Sequence, residues 1–577
     1  MTNGIEIRAG LTDAYADVYT HQALSALRAL APLDVRRQQL MHERIERRAK
    51  RARERRRLTF LDSSATIAGT GIGVADARAG KFVGSEIPVD LRRQWIQGTG
   101  PAAKPNTPVE KSIRNIAHAL LSGADGWMFD GEDALGQVQT MSLDNQRNLK
   151  LAIHRDPVFL RAAERVSQEM NSWGEGFFGH RIVDDWHHQL AFTTKIFRPR
   201  GLHLDDRHIR HADGRGLAAS IADAALFIVN NHARLQADHS SLVLYLPKIQ
   251  TAEEAAFWHE LLLMLEDHLG LQPSSIKTYV LVEQLEACFQ LMEIRAALGE
   301  RFVGFNTGRW DYINSVADSM AWDARFVNPN IDAITMTYAY MRAYEDRVRR
   351  ACSTPDARGR YALWQGGMEP NIPVGSAEGV AAGMKRARAG AEREQREGAS
   401  GKWVAHWKMV HIVRPVWESV SEDNQLGRPF PPLTHTDADA GALLKLEPAP
   451  RTVRGARDLL SVALQYGNAF GQGMQAAALK PADFFGNDDV LYLMEDMATG
   501  EIRLSILWEW LHKQATVTAD DEIGVKTGDR FTSDLFFRLL AEEYDKLRRA
   551  SNRDVHDDSK DTTLPVTREI VQAYVMD

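Results

Sequence analysis

The chain has 577 residues, 44% of them hydrophobic and 25% charged, and carries a formal net charge of -7. That length requires two or three folding units, and that composition excludes a disordered or fibrous chain. The negative balance gives nucleic acid no global attraction, no apolar run is long enough to span a bilayer, and two cysteines cannot build a disulfide scaffold. The opening MTNGIEIRAG has no signal-peptide core and the closing AYVMD is no peroxisomal tripeptide. Since Cys288 and Cys352 also fit a reducing compartment, the expected address is the cytoplasm.

Residues 1–115 read as helical and irregular. The stretch 42–57 (HERIERRAKRARERRR) is dense in arginine, but Glu43, Glu46 and Glu54 are interleaved at helical salt-bridge spacing. It is expected to be a solvated helix that pairs with itself. Gly69, Gly71 and Gly73 (GTGIG) lack a surrounding strand–turn–helix unit and read as a surface loop. From about residue 120 short apolar runs alternate with amphipathic segments. The runs are 126–129, 194–197, 242–246, 277–282, 302–305, 333–336, 361–364 and 403–406, with helices such as 252–269 and 283–298 between them. Strands apolar on both faces and separated by helices indicate a parallel sheet. Eight of them point to a (β/α)8 barrel over 116–420, with a doubly wound open sheet as the alternative. A helix is expected near 370–400. Residues 421–577 are expected to form an all-α domain, with helices at 452–466, 502–513 and 533–549.

In a parallel barrel, chemistry sits where the strands end. The first run ends in Asp130-Gly-Glu132-Asp133, the second in Arg198-Pro-Arg200, the third at Lys248 and the fourth at Glu283, while the fifth leads into Gly308-Arg309-Trp310-Asp311. Acids with one or two arginines at one mouth suit a hard divalent cation, Mg²⁺ above all, and an anionic substrate. Other features read as structure. His187-His188 lack a matching ligand set and suggest a surface loop. Cys288 belongs to packing rather than nucleophilic chemistry, Trp310 and Trp364 to core or pocket wall, and His406 and Lys408 lie where a phosphate could be met.

Eight blocks in order, including FRPRGLHLDDRHI (197–209), YLPKIQTAEEAAFW (245–258), GFNTGRWDYINS (304–315), GGMEPNIP (366–373) and LMEDMATGEIR (493–503), resemble the malate synthase family in its shorter A-type form. The resemblance implies a Mg²⁺-dependent condensation of acetyl-CoA with glyoxylate, followed by hydrolysis to malate and CoA. It implies that Glu283 and Asp311 are metal ligands and that the Gly308–Asp311 peptide (Gly308, Arg309, Trp310, Asp311) holds the glyoxylate carboxylate. Arg198 would stabilise the enolate, Asp496 would be the catalytic base, and Asp130 and Glu132 would be supporting acids. A helix starting near Thr499 would favour ionised Asp496 through its dipole. The sequence departs from the family at Trp407, where a proline is usual, at Thr307, and at Glu369-Pro370-Asn371. The alternative enzyme is a related barrel lyase of the malyl-CoA or citramalyl-CoA group, from which the C-terminal MED block argues away.

Overall fold

The computed structural model describes residues 4–100, 105–133, 138–420, 424–429, 437–519, 522, 524–551, 554–555 and 560–577. Eight parallel strands close into a barrel in chain order: β1 Ile96–Thr99, β2 Gly126–Asp130, β3 Thr194–Arg198, β4 Leu242–Leu246, β5 Ile276–Val282, β6 Phe302–Thr307, β7 Leu363–Glu369 and β8 Gly401–Val404. The eighth strand pairs with the first, Lys402 opposite Ile96, so no barrel edge is left open.

Five of the eight expected runs fall on barrel strands in near-matching positions, 361–364 overlaps only the start of β7 and 403–406 only the end of β8, and one run fails. Residues 333–336 are no strand: Ile331–Ala333 forms a 3₁₀ turn and the chain then bends towards the helix Ala339–Ser353. The place is taken by β1, ahead of the expected boundary at 116. Its sequence, IQGT, has no apolar run to announce it, because its central side chain is a buried polar hub. Gln97 Oε1 accepts from Tyr245 Oη at 2.7 Å and from Trp403 Nε1 at 2.9 Å, both inside the barrel. Tyr245 in turn stacks on Tyr279 at 4.6 Å between ring centres. The interior is thus filled, not hollow, as eight-stranded closure requires.

The arginine-rich helix, Asp34–Glu54, corrects the sequence reading. Its cations do not pair chiefly with their own acids. Arg36 reaches Glu260, Arg48 reaches Asp318 and Arg51 reaches Glu286, all on the barrel. The helix is a clasp held to the barrel by charge. The GTGIG segment is a loop, as expected, pinned by a bridge between Thr66 and Gly73. His187 and His188 sit exposed on the helix Trp186–Phe192, not on a loop.

Beyond the barrel, the helices Val453–Gly471, Met497–His512, Ser533–Arg549 and Lys560–Met576 pack together. This region is not wholly helical. The strands Ala477–Leu479 and Tyr492–Glu495 form a small antiparallel sheet with Asn371–Ile372, which follows β7.

At the opposite end of the barrel, just before β6, Arg301 gives Glu266 two parallel hydrogen bonds of 2.5 and 2.7 Å, and both side chains are fully buried. Glu266 also accepts the Ser274 and Ile276 N–H groups at 2.9 Å. Removing one partner strands a buried charge, so Arg301→Ala should cost about 3–5 kcal/mol, read as a lower unfolding midpoint in urea; a loss under about 1 kcal/mol would show the pair to be solvated. Burial pushes the Cys288 and Cys352 thiols up to about 12. Burial penalises the thiolate, so both remain neutral at all pH values below that. Neither should react with a thiol reagent at pH 8 until the chain unfolds, and rapid labelling of the native protein would contradict this.

Candidate functional site

The carboxyl ends of β1, β2, β3, β5, β6, β7 and β8 open on one cavity of about 690 Å³, lined among others by Asp130, Asp133, Arg198, Glu283, Asp311 and Asp496. Gly308 to Asp311 also line it.

The Asp130 carboxylate organises the turn after β2 by accepting the Glu132 and Asp133 N–H groups at 2.9 and 3.2 Å. It also receives Arg198 from β3, with Nε at 2.7 Å and Nη2 at 2.6 Å. Arg198 Nη2 further reaches Asp133 at 2.7 Å. Nη1 comes no nearer than 3.9 Å to Glu283 and has no hydrogen-bond partner among the described residues. One face of a fixed, buried guanidinium is therefore left for a ligand oxygen.

Asp133, Glu283 and Asp311 each offer an oxygen within 4.8 Å of the others. Into this cluster projects Lys248, whose ammonium bonds to Asp311 and lies 3.4 Å from both Asp133 and Glu283. The Lys248 N–H also fixes Glu283 at 2.6 Å. Like charges packed this closely cannot all ionise without a cation. Burial raises Glu283 well above the usual carboxylate range, and Asp311 adds to the rise while Lys248 opposes it. Burial would raise Asp133 as well, yet Lys248 and Arg198 overcome it and hold the acid down at about 2. Glu132, buried beside them, is pushed up to about 8.

Gly308 precedes the helix Arg309–Ser319 because no larger residue fits: a Cβ there would meet Glu283 Cβ at 2.9 Å. Its own N–H bonds Val282 O at 3.2 Å, while the N–H groups of Arg309, Trp310 and Asp311 have no partner among the described residues. Three free donors at a helix start, facing the cavity, form an anion cradle. The Arg309 guanidinium lies over the Trp310 ring at 3.8 Å, and burial lowers it to about 10.

Asp496 arrives from the far end of the chain. It is the N-cap of the helix Met497–His512, accepting the Thr499 N–H at 3.2 Å, while its own N–H goes to Thr499 Oγ1 at 2.8 Å. The helix begins at Met497, so its dipole favours the ionised carboxylate as expected, but burial works against it. Burial pushes Asp496 up to about 8, and the charges of Asp133 and Asp311 reinforce this; the Thr499 N–H and Arg198 only partly offset it. Near-complete desolvation outweighs the helix dipole.

The structure thus gathers all the predicted residues except Glu132 into the cavity wall, and Glu132 lies buried directly behind it. The sequence reading assigned no role to Asp133 or Lys248, although both stood in motifs it singled out. Their signal was position at a strand end. His406 and Trp407 line another part of the same cavity, next to Lys111 and His118.

Family models for the malate synthase TIM barrel domain and the malate synthase C-terminal domain match residues 194–431 and 451–572. Malate synthase from Myxococcus xanthus is 31% identical over 476 residues, spanning 82% of this chain and 77% of that protein. Malate synthase from Streptomyces clavuligerus is 30% identical, spanning 89% and 84%. Malate synthase A from Escherichia coli is 30% identical, spanning 79% and 76%. This chain belongs to the malate synthase family.

Proposed function

We infer that the chain condenses acetyl-CoA with glyoxylate and hydrolyses the product to malate and free CoA. The observation that carries this is the meeting, in one cavity, of a buried acid cluster, an anion cradle, a half-free arginine and a carboxylate from the C-terminal helices. Glu283 and Asp311 would hold Mg²⁺, with the Asp133 carboxylate close beside them. The fit rests on the hard-oxygen donor set and on Lys248, whose ammonium already supplies positive charge there. Bound Mg²⁺ would polarise the aldehyde as a Lewis acid, and its charge would draw Asp496 towards the ionised form.

The remaining work falls to the chain's own groups. The N–H groups of Arg309, Trp310 and Asp311 hold the glyoxylate carboxylate. Ionised Asp496 takes a proton from the thioester methyl group, a weak acid whose loss needs a positioned base. Arg198 Nη1 donates to the enolate oxygen, where negative charge develops, and stays charged throughout. The enolate carbon then attacks the aldehyde carbon, and water later cleaves the thioester. The part of the cavity lined by Lys111, His118 and Trp407 would take the CoA chain. We extend the proposal to a reducing, cytoplasmic address, supported by two buried free cysteines. No helix among the described residues is long and apolar enough to cross a membrane.

The test is thiol release from acetyl-CoA with glyoxylate and Mg²⁺. Release that requires both partners is expected; accumulation of malyl-CoA without thiol would assign the chain to the lyase group instead. Asp496→Asn should lower kcat by about 10²–10⁴-fold while Mg²⁺ and glyoxylate binding persist, and loss of binding as well would deny Asp496 the role of base. Arg198→Lys should cost about 10²–10³-fold in kcat, because a point charge cannot hold Asp130, Asp133 and substrate together. Near-normal turnover in that variant would remove Arg198 from the mechanism.

A further inference from the structure

The arginine-rich clasp builds more than a clamp. A second cavity of about 500 Å³ lies between the end of the helix Asp34–Glu54, the loop 58–68 and the start of the helix Ala252–Leu269. Arg47, Lys50 and Arg51 face it from one side of the clasp helix, at spacings of three and four residues that share a face. The chain then turns through Arg55 in a left-handed conformation, φ 50°, and brings Arg56 and Arg57 to the same cavity. The lining itself offers two acids, Glu253 and Glu286; Arg51 pairs with Glu286, while the partly exposed Arg47, Arg56 and Arg57 meet Glu254 at 3.8 Å, Glu54 and Asp323 at 3.4 Å. Lys50 is exposed and makes no ion pair among the described residues. Leu58, Leu61 and Ile67 give part of the wall an apolar surface.

We propose that this cavity binds a small organic phosphate bearing at least two negative charges. Several cations focused on one concavity attract a polyanion and hold it with charge-assisted bonds. The limited volume, about 500 Å³, suits a small molecule rather than a nucleic acid strand, and the apolar wall accepts its organic part. The site is linked to the acid cluster of the barrel through the same helix. Arg44, three residues before Arg47, donates Nη1 to the Lys248 carbonyl at 2.9 Å and Nη2 to Gln284 at 3.4 Å. Thr251, in the cavity wall, lies three residues beyond Lys248. A ligand that repositions the clasp helix therefore acts on the backbone of the residue that reaches Asp311.

Calorimetric titration of the full chain with ATP and with inorganic pyrophosphate tests this directly. At about 50 mM salt, where surface electrostatics is lightly screened, ATP is expected to bind with a Kd below about 1 mM. The double variant Lys50→Glu, Arg56→Glu should weaken binding at least tenfold while melting at the native temperature and releasing thiol normally without ligand. Lys50→Gln should give a smaller loss in the same direction. No binding of either probe, or equal affinity in wild type and double variant, would overturn the proposal; equal affinity would place ATP in the CoA part of the main cavity instead. Because the readout is binding, its failure leaves the synthase assay untouched.

Discussion

The structure depends on one junction between the barrel and the C-terminal region. Asp496 can face the barrel only because the residues on both sides of it are anchored to barrel elements. Before it, the strand Tyr492–Glu495 pairs with Asn371–Ile372, directly after β7, and Met494 N–H bonds Pro370 O at 2.9 Å. After it, the helix Met497–His512 packs on the helix Arg309–Ser319, which carries Asp311. Ser505 Oγ donates to Asn314 at 2.6 Å across that contact. Arg503 closes the corner with two buried bonds to Glu495, at 2.8 and 3.2 Å. A strand pinned to β7 and a helix pinned beside Asp311 leave the carboxylate between them little freedom. Catalytic groups need that kind of preorganisation, since small misplacements are costly.

The second constraint is charge. Asp130, Asp133, Glu283, Asp311 and Asp496 face one cavity with Arg198 and Lys248 as close cations. Carboxylates outnumber cations, and burial makes each unpaired charge expensive. Raised values for Glu283 and Asp496 are the direct consequence. The same imbalance would suit a divalent cation, so the property that disfavours ionised Asp496 would also favour the ion that reverses it.

Much of this is legible in the residues themselves. The parallel barrel followed from apolar runs alternating with helices, and the family resemblance named Arg198, Glu283, Asp311 and Asp496. What escaped has identifiable causes. β1 was hidden because Gln97 serves the barrel interior with hydrogen bonds instead of hydrocarbon. Residues 333–336 looked like a strand because apolar side chains also line turns, and Ile334 is indeed buried. The clasp helix was read as self-paired because its acids sit at the right spacing, while its real partners, Glu260, Glu286 and Asp318, lie far along the chain. Lys248 could be placed at a strand end but not among three acids, since only closure of the barrel brings β4 beside β5 and the β6 turn.

The proposed reaction requires a metal ion on the acids at the barrel mouth, with Asp496 facing it. A crystal structure with Mg²⁺ and glyoxylate tests this most directly. The ion is expected on Glu283 and Asp311 at about 2.1 Å, with the glyoxylate carboxylate at the Arg309–Asp311 N–H groups and Asp496 across the open side of the aldehyde. An ion bound elsewhere, or Asp496 turned away from the oxoacid, would contradict this.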